Sequence, residues 1–141
     1  MGDRCFMTVT VRKEHIERFY RVLPRDFADD IAEDELTVTL EYQQANYGHG
    51  SQLGDAAEAG CEFYGHHDAG SSYEAAEFYS DGHSGIHFIY RGADGCGVVV
   101  DGDTPDQRRD NLRRIEVRLS ARDDLILRMH NPIYDLTKET A

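Results

Sequence analysis

No lysine or arginine occurs between Arg25 and Arg91. The same interval holds 14 of the chain's 27 acidic residues, so it more than accounts for the net charge of −12, and the flanks taken together are slightly basic. Affinity for a phosphate backbone rests on a basic patch, so direct nucleic-acid binding is not expected of this chain. Long apolar runs are also missing. The longest, such as Val98-Val99-Val100, are a few residues against the roughly 20 that a membrane helix requires, so no membrane partner is expected.

Met1-Gly2-Asp3-Arg4-Cys5-Phe6 has no signal-peptide apolar region, and Phe6 stands where a myristoylation signal wants Ser or Thr. Cysteine is scarce. Cys5, Cys61 and Cys96 are widely spaced with no C-x-x-C pair, which argues against a disulfide framework and a zinc ribbon and for reduced, buried thiols in a cytoplasmic protein. There are three prolines, no tryptophan and no low-complexity tract, while 40% of residues are hydrophobic. At 141 residues this is the composition of one folded domain with a single core.

What is present reads as alternating local signals. Cys5, Met7, Val9 and Val11 repeat with the period of two of a strand. Ile16, Phe19, Tyr20 and Leu23 then mark one face of a helix that Pro24 ends. Leu36, Val38, Leu40 and Tyr42 alternate with Thr37, Thr39 and Glu41 as a half-buried strand, and residues 43–50 read as a loop. Ser51, Leu53, Ala56, Ala57 and Gly60 give a short helix with an N-cap and a terminal glycine.

Residues 61–64, 73–79, 86–91 and 97–100 are β-type runs separated by Gly, Ser and Asp. The Asp81-Gly82 and Asp94-Gly95 turns predict antiparallel neighbours. Thr104-Pro105-Asp106-Gln107 carries a cap, a proline at the first helical position and a capping-box glutamine, so a long helix follows until Asn131-Pro132. Leu112, Ile115, Leu119, Ile126 and Met129 form its apolar seam, which a homo-oligomer could share; Arg122 interrupts the seam, by snorkelling outward or by a break near Ser120. The expected fold is therefore α+β: a mainly antiparallel sheet of five to six strands, with the N-terminal helix and the long C-terminal helix packed on one face. The absence of regular βαβ alternation argues against a doubly wound nucleotide fold.

Signatures of chemistry are few. No phosphate-loop motif is present, Asp101-Gly102-Asp103 lacks the later ligands of a calcium loop, and Ser84 misses the G-x-S-x-G elbow by one residue. The expectation is thus a non-enzymatic regulatory or inhibitory domain. Its densest charge is Asp26, Asp29, Asp30, Glu33, Asp34 and Glu35, which must be solvated, bind a cation, be neutralised by C-terminal arginines or meet a basic protein surface. Such an array could stand in for nucleic-acid phosphates, with Tyr42 and Tyr47 adding apolar contact. The local structural alternative is a solvated loop or fraying helix. The competing chemical class is a zinc-binding protein or small metal-dependent enzyme, for which His66, His67, Asp68, His83 and His87 are the candidate ligands.

Overall fold

The computed structural model describes residues 4–92 and 97–131, so Cys96 and the Asp94-Gly95 turn lie outside the described residues. The elements run β1 (Arg4–Arg12), α1 (Ile16–Val22), β2 (Asp30–Glu33), β3 (Thr37–Asn46), α2 (Gly50–Glu58), β4 (Glu62–His67), β5 (Ala75–Asp81), β6 (Ile86–Gly92) and α3 (Pro105–His130). The strands form one sheet in the order β2-β3-β1-β4-β5-β6, and every neighbouring pair is antiparallel. The expected α+β class and antiparallel sheet are what the chain adopts. Because β3 lies between β1 and β2, and β1 lies between β3 and β4, α1 and α2 each cross over one strand. The first six of these elements thus make a split β-α-β, or ferredoxin-like, arrangement, extended by the β5–β6 hairpin and α3.

The period of two in β1 turns Met7, Val9 and Val11 to one face, where all three are fully buried. Phe19 of α1, Leu23 at its C-terminal cap, and Leu53, Ala56 and Ala57 of α2 cover that face. Phe63 sits at its centre, edge-on to Phe19 at 5.7 Å and to Phe78 at 6.2 Å. Each fully buried Val, Leu, Met or Phe side chain here contributes about 1.5–3 kcal/mol.

The long helix packs on the opposite face, which corrects the single-face arrangement expected from the sequence. Register explains why. Val11 pairs with Phe63 on the first face, so Thr10 and its partner Tyr64 point away from α1, as does Tyr79, the partner of Tyr64 in β5. Leu125 and Met129 of α3 close over Tyr79 and Tyr64. Two carboxylates of this second face hold arginines around that small apolar contact. Glu62 meets Arg12 of β1 and Arg128 of α3, the latter at 2.6 Å; Glu77 meets Arg91 of β6 and Arg122 of α3. Arg122 therefore neither snorkels outward nor breaks the helix: it turns inward to Glu77.

Further expectations are corrected. Residues 30–33, read as part of a loop or fraying helix, form the edge strand β2, and β3 continues to Asn46 through part of the expected loop. Residues 97–100 form no strand, although the Val99 N–H donates to the Tyr90 carbonyl at 2.9 Å. The start of α3 is as the sequence predicts: the Thr104 hydroxyl accepts from the Gln107 N–H at 3.1 Å, and the Gln107 side chain accepts from the Thr104 N–H at 3.2 Å. Of the expected seam, Met129 is buried, while Leu112 remains 45% exposed. No helix among the described residues is long and apolar enough to cross a membrane.

Candidate functional site

The six clustered carboxylates lie along one margin of the molecule, on the turn before β2, on β2 itself and on the turn into β3, and all six are exposed. Their compensation is slight. Asp29 Oδ2 accepts from the Gln43 N–H at 2.7 Å, and Lys13 Nζ approaches Glu33 at 3.9 Å with both side chains open to water. An exposed pair of that length contributes little. The C-terminal arginines meet Glu62 and Glu77 instead. β2 is an edge strand, and charged side chains on such an edge discourage random pairing with other sheets.

The aromatic residues assigned to this surface divide. Tyr47 is 55% exposed, but Tyr42 is 1% exposed, which removes it from any docking surface. Alternation with Val38 and Leu40 turns it into the core, and burial pushes its phenol well above the usual range. Phe27, not singled out from the sequence, is 55% exposed beside the carboxylates, with its ring 6.3 Å from that of His49. The signal available was its position between Asp26 and Asp29, where a large apolar residue interrupts a charged run.

The proposed metal ligands do not converge. His66 and His67 are successive in β4 and point to opposite faces; His67 is buried against Phe78 and Tyr73, with Nδ1 2.9 Å from the Asp68 carbonyl. His66, His67 and Asp68 nonetheless border one cavity of about 270 Å³ with Glu77 and Arg91. His83 and His87 belong to the other end of the β5–β6 hairpin. Among the described residues no three His, Cys, Asp or Glu side chains are gathered around a point where an ion could sit.

That hairpin holds a cluster that sequence spacing did not reveal. Asp81 Oδ1 accepts from the N–H groups of His83 at 2.8 Å and Ser84 at 2.9 Å, and its carboxylate receives the Ser84 hydroxyl at 3.0 Å. Burial alone would raise the pKa of Asp81, but these hydrogen bonds outweigh it and hold the carboxyl below its usual range. Ser84 Oγ also lies 2.8 Å from His87 Nε2, and the His87 ring stacks on Tyr79 at 5.0 Å. A serine within reach of an imidazole is the beginning of a nucleophile and base pair. In a hydrolytic triad, however, the carboxylate orients the imidazole, whereas Asp81 here holds the serine and the turn. The arrangement closes a hairpin and fixes the His87 ring.

Comparison with known proteins finds no matching family model, curated protein or solved structure. Function must therefore be argued from these sites, since a split β-α-β sheet serves many unrelated tasks.

Two further histidines tie stability to pH. His15 Nδ1 accepts from the Glu62 N–H at 3.0 Å, a bond that needs its lone pair. Burial pushes His15 below the ordinary value of 6.5, opposed by Glu62 and helped by Arg18 and Arg12; burial alone does the same to His49. The folded state therefore binds fewer protons than the unfolded state. The stability contributed by the neutral rings is present above 6.5 and is lost as pH falls through their folded values. The urea midpoint should fall between about pH 7 and pH 5, above the range where most carboxylates titrate, and His15→Asn should remove part of that slope. A midpoint constant across this window would contradict the assignment.

Proposed function

We propose that this chain is a non-enzymatic binding domain that presents its acidic sheet margin to a basic protein surface. The observation that carries the reading is the exposure of all six carboxylates along an open sheet edge, where among the described residues Lys13 alone comes within ion-pair distance of one of them. Charge of one sign left uncompensated on a rigid strand attracts a basic partner and accelerates encounter. Phe27 and Tyr47 offer apolar contact beside it, and aromatic side chains of this kind anchor interfaces whose rims are charged. An extended basic segment adding along β2 would satisfy the charge and the open strand together.

The test compares the native protein with a variant carrying Asp29→Asn, Asp30→Asn, Glu33→Gln and Asp34→Asn in pull-downs from the source cells. Asn at position 29 keeps an oxygen for the Gln43 N–H, so the melting temperature should barely move. Basic proteins should be retained by the native chain, lost from the variant, and released as salt is raised from about 0.05 to 0.3 M, because screening shortens the reach of exposed charges. Retention that is equal for both proteins, or indifferent to salt, would reject the reading. Displacement of the retained partner by double-stranded DNA would support the narrower version in which the carboxylates stand in for phosphates.

A further inference from the structure

α3 is anchored through its C-terminal half. Leu125 and Met129 are buried, whereas every residue from Pro105 to Asp110 is exposed. Between the middle of this helix and the β5–β6 hairpin lies a groove of about 480 Å³, within the range of small-molecule sites. Its two sides differ in chemistry. Val117 and Ala121 give it an apolar wall, and the His87 ring, stacked on Tyr79 and fixed by Ser84, forms the facing surface.

Three arginines of α3, Arg113, Arg114 and Arg118, line the same groove. Arg118 donates to the Phe88 carbonyl at 2.9 Å, which ties its guanidinium to the sheet, and the carboxylate that Arg113 meets among the described residues is the exposed Asp110, at 4.0 Å. Neither Arg114 nor Arg118 pairs with a carboxylate among the described residues. Asp81 also borders the groove, but its oxygens are occupied by His83 and Ser84, and one carboxylate against three guanidiniums still leaves the lining positively charged.

We propose that this groove binds a small organic anion, with its carboxylate, sulfonate or phosphate group on the Arg114 and Arg118 guanidiniums and its apolar body between Val117, Ala121 and the His87 ring. Planar guanidiniums pair with such oxyanions through two parallel hydrogen bonds, and a flat apolar body gains area against the imidazole and Val117. The site is separate from the acidic margin, so its failure leaves the partner-binding reading untouched.

The probe is 2-naphthoate, with neutral 2-naphthamide as its counterpart, each titrated into the full chain and followed by amide NMR shifts. Saturable shifts are expected at Tyr79, Ser84, His87, Val117 and Ala121, with the amide bound about tenfold more weakly, the size of effect one charge-assisted hydrogen bond supplies. Arg114→Gln and Arg118→Gln should each weaken 2-naphthoate by a similar factor. Val117→Glu changes an exposed position, so it leaves the fold intact while placing a negative charge in the groove, and it should abolish the shifts. Absence of saturation at millimolar probe, shifts centred elsewhere, equal affinity for the amide, or unchanged binding in Val117→Glu would each overturn the assignment.

Discussion

Replacing Gly65 by alanine is expected to destabilise the protein by more than about 3 kcal/mol, a large part of the stability of an ordinary domain. Gly65 lies in the middle of β4, opposite Val9 of β1. A Cβ there would overlap the Thr8 carbonyl oxygen and approach the Phe78 ring to 2.9 Å. The backbone oxygen belongs to the central strand and cannot rotate aside as a side chain could, so the β1–β4 pairing itself must open. Urea unfolding measures the loss, and Gly54→Ala in α2 is the matching control. Space around Gly54 is open, so alanine there should stabilise by about 0.5–1 kcal/mol through helix propensity. Equal effects at the two positions would show that the close approach at Gly65 is relieved cheaply.

The second large effect concerns Glu62. Its side chain is 13% exposed and lies between Arg12 at 7% and Arg128 at 16%. Glu62→Gln removes the charge that lets two guanidiniums share a poorly hydrated place, and should cost about 3 kcal/mol, the order found when one member of a buried ion pair is deleted. Replacing the whole cluster, Arg12→Met with Glu62→Leu and Arg128→Met, should recover most of that loss, because the three charges then leave together. If Glu62→Gln unfolds at the native urea concentration, the cluster is hydrated well enough to contribute nothing to docking α3.

Much of the architecture was legible because it was written in local periodicity. β1 and β3 alternate cleanly, α1 carries its apolar stripe, and Thr104 to Gln107 spell out a helix start. The same alternation that identified β3 placed Tyr42 with Val38 and Leu40, so its burial could have been read from the strand that contains it. β2 could not be found in this way. It has one half-buried residue, Ile31, among three exposed ones, and is a strand because β3 offers it hydrogen bonds.

The inward turn of Arg122 was hidden for a related reason. It depends on Glu77, whose direction is set by its register beside His66, and no feature near Arg122 in the chain reports that. Likewise Asp81, Ser84 and His87 show no motif spacing; a hairpin turn brings them together, and a helix from the other end of the sequence completes the groove. The acidic margin was the part of the candidate surface most visible in advance, since a lack of basic residues is a property of the sequence itself.

The central position of β1 bears on how the chain is made. It is the first of the six strands of this sheet to be synthesised, yet its two partners are β3, which ends at Asn46, and β4, which ends at His67. At 5–20 residues per second, the 55 residues between Arg12 and His67 take roughly 3–11 s to translate. For that time the ribosome holds a strand whose Met7, Val9 and Val11 face no finished layer and whose β4 side is an open row of amide and carbonyl groups. A nascent chain in this state is a natural client for a chaperone that shields apolar strands. Variants that slow β4 formation, Gly65→Ala foremost, should lengthen the vulnerable interval and show lower yield in the cell than their equilibrium stability alone would imply.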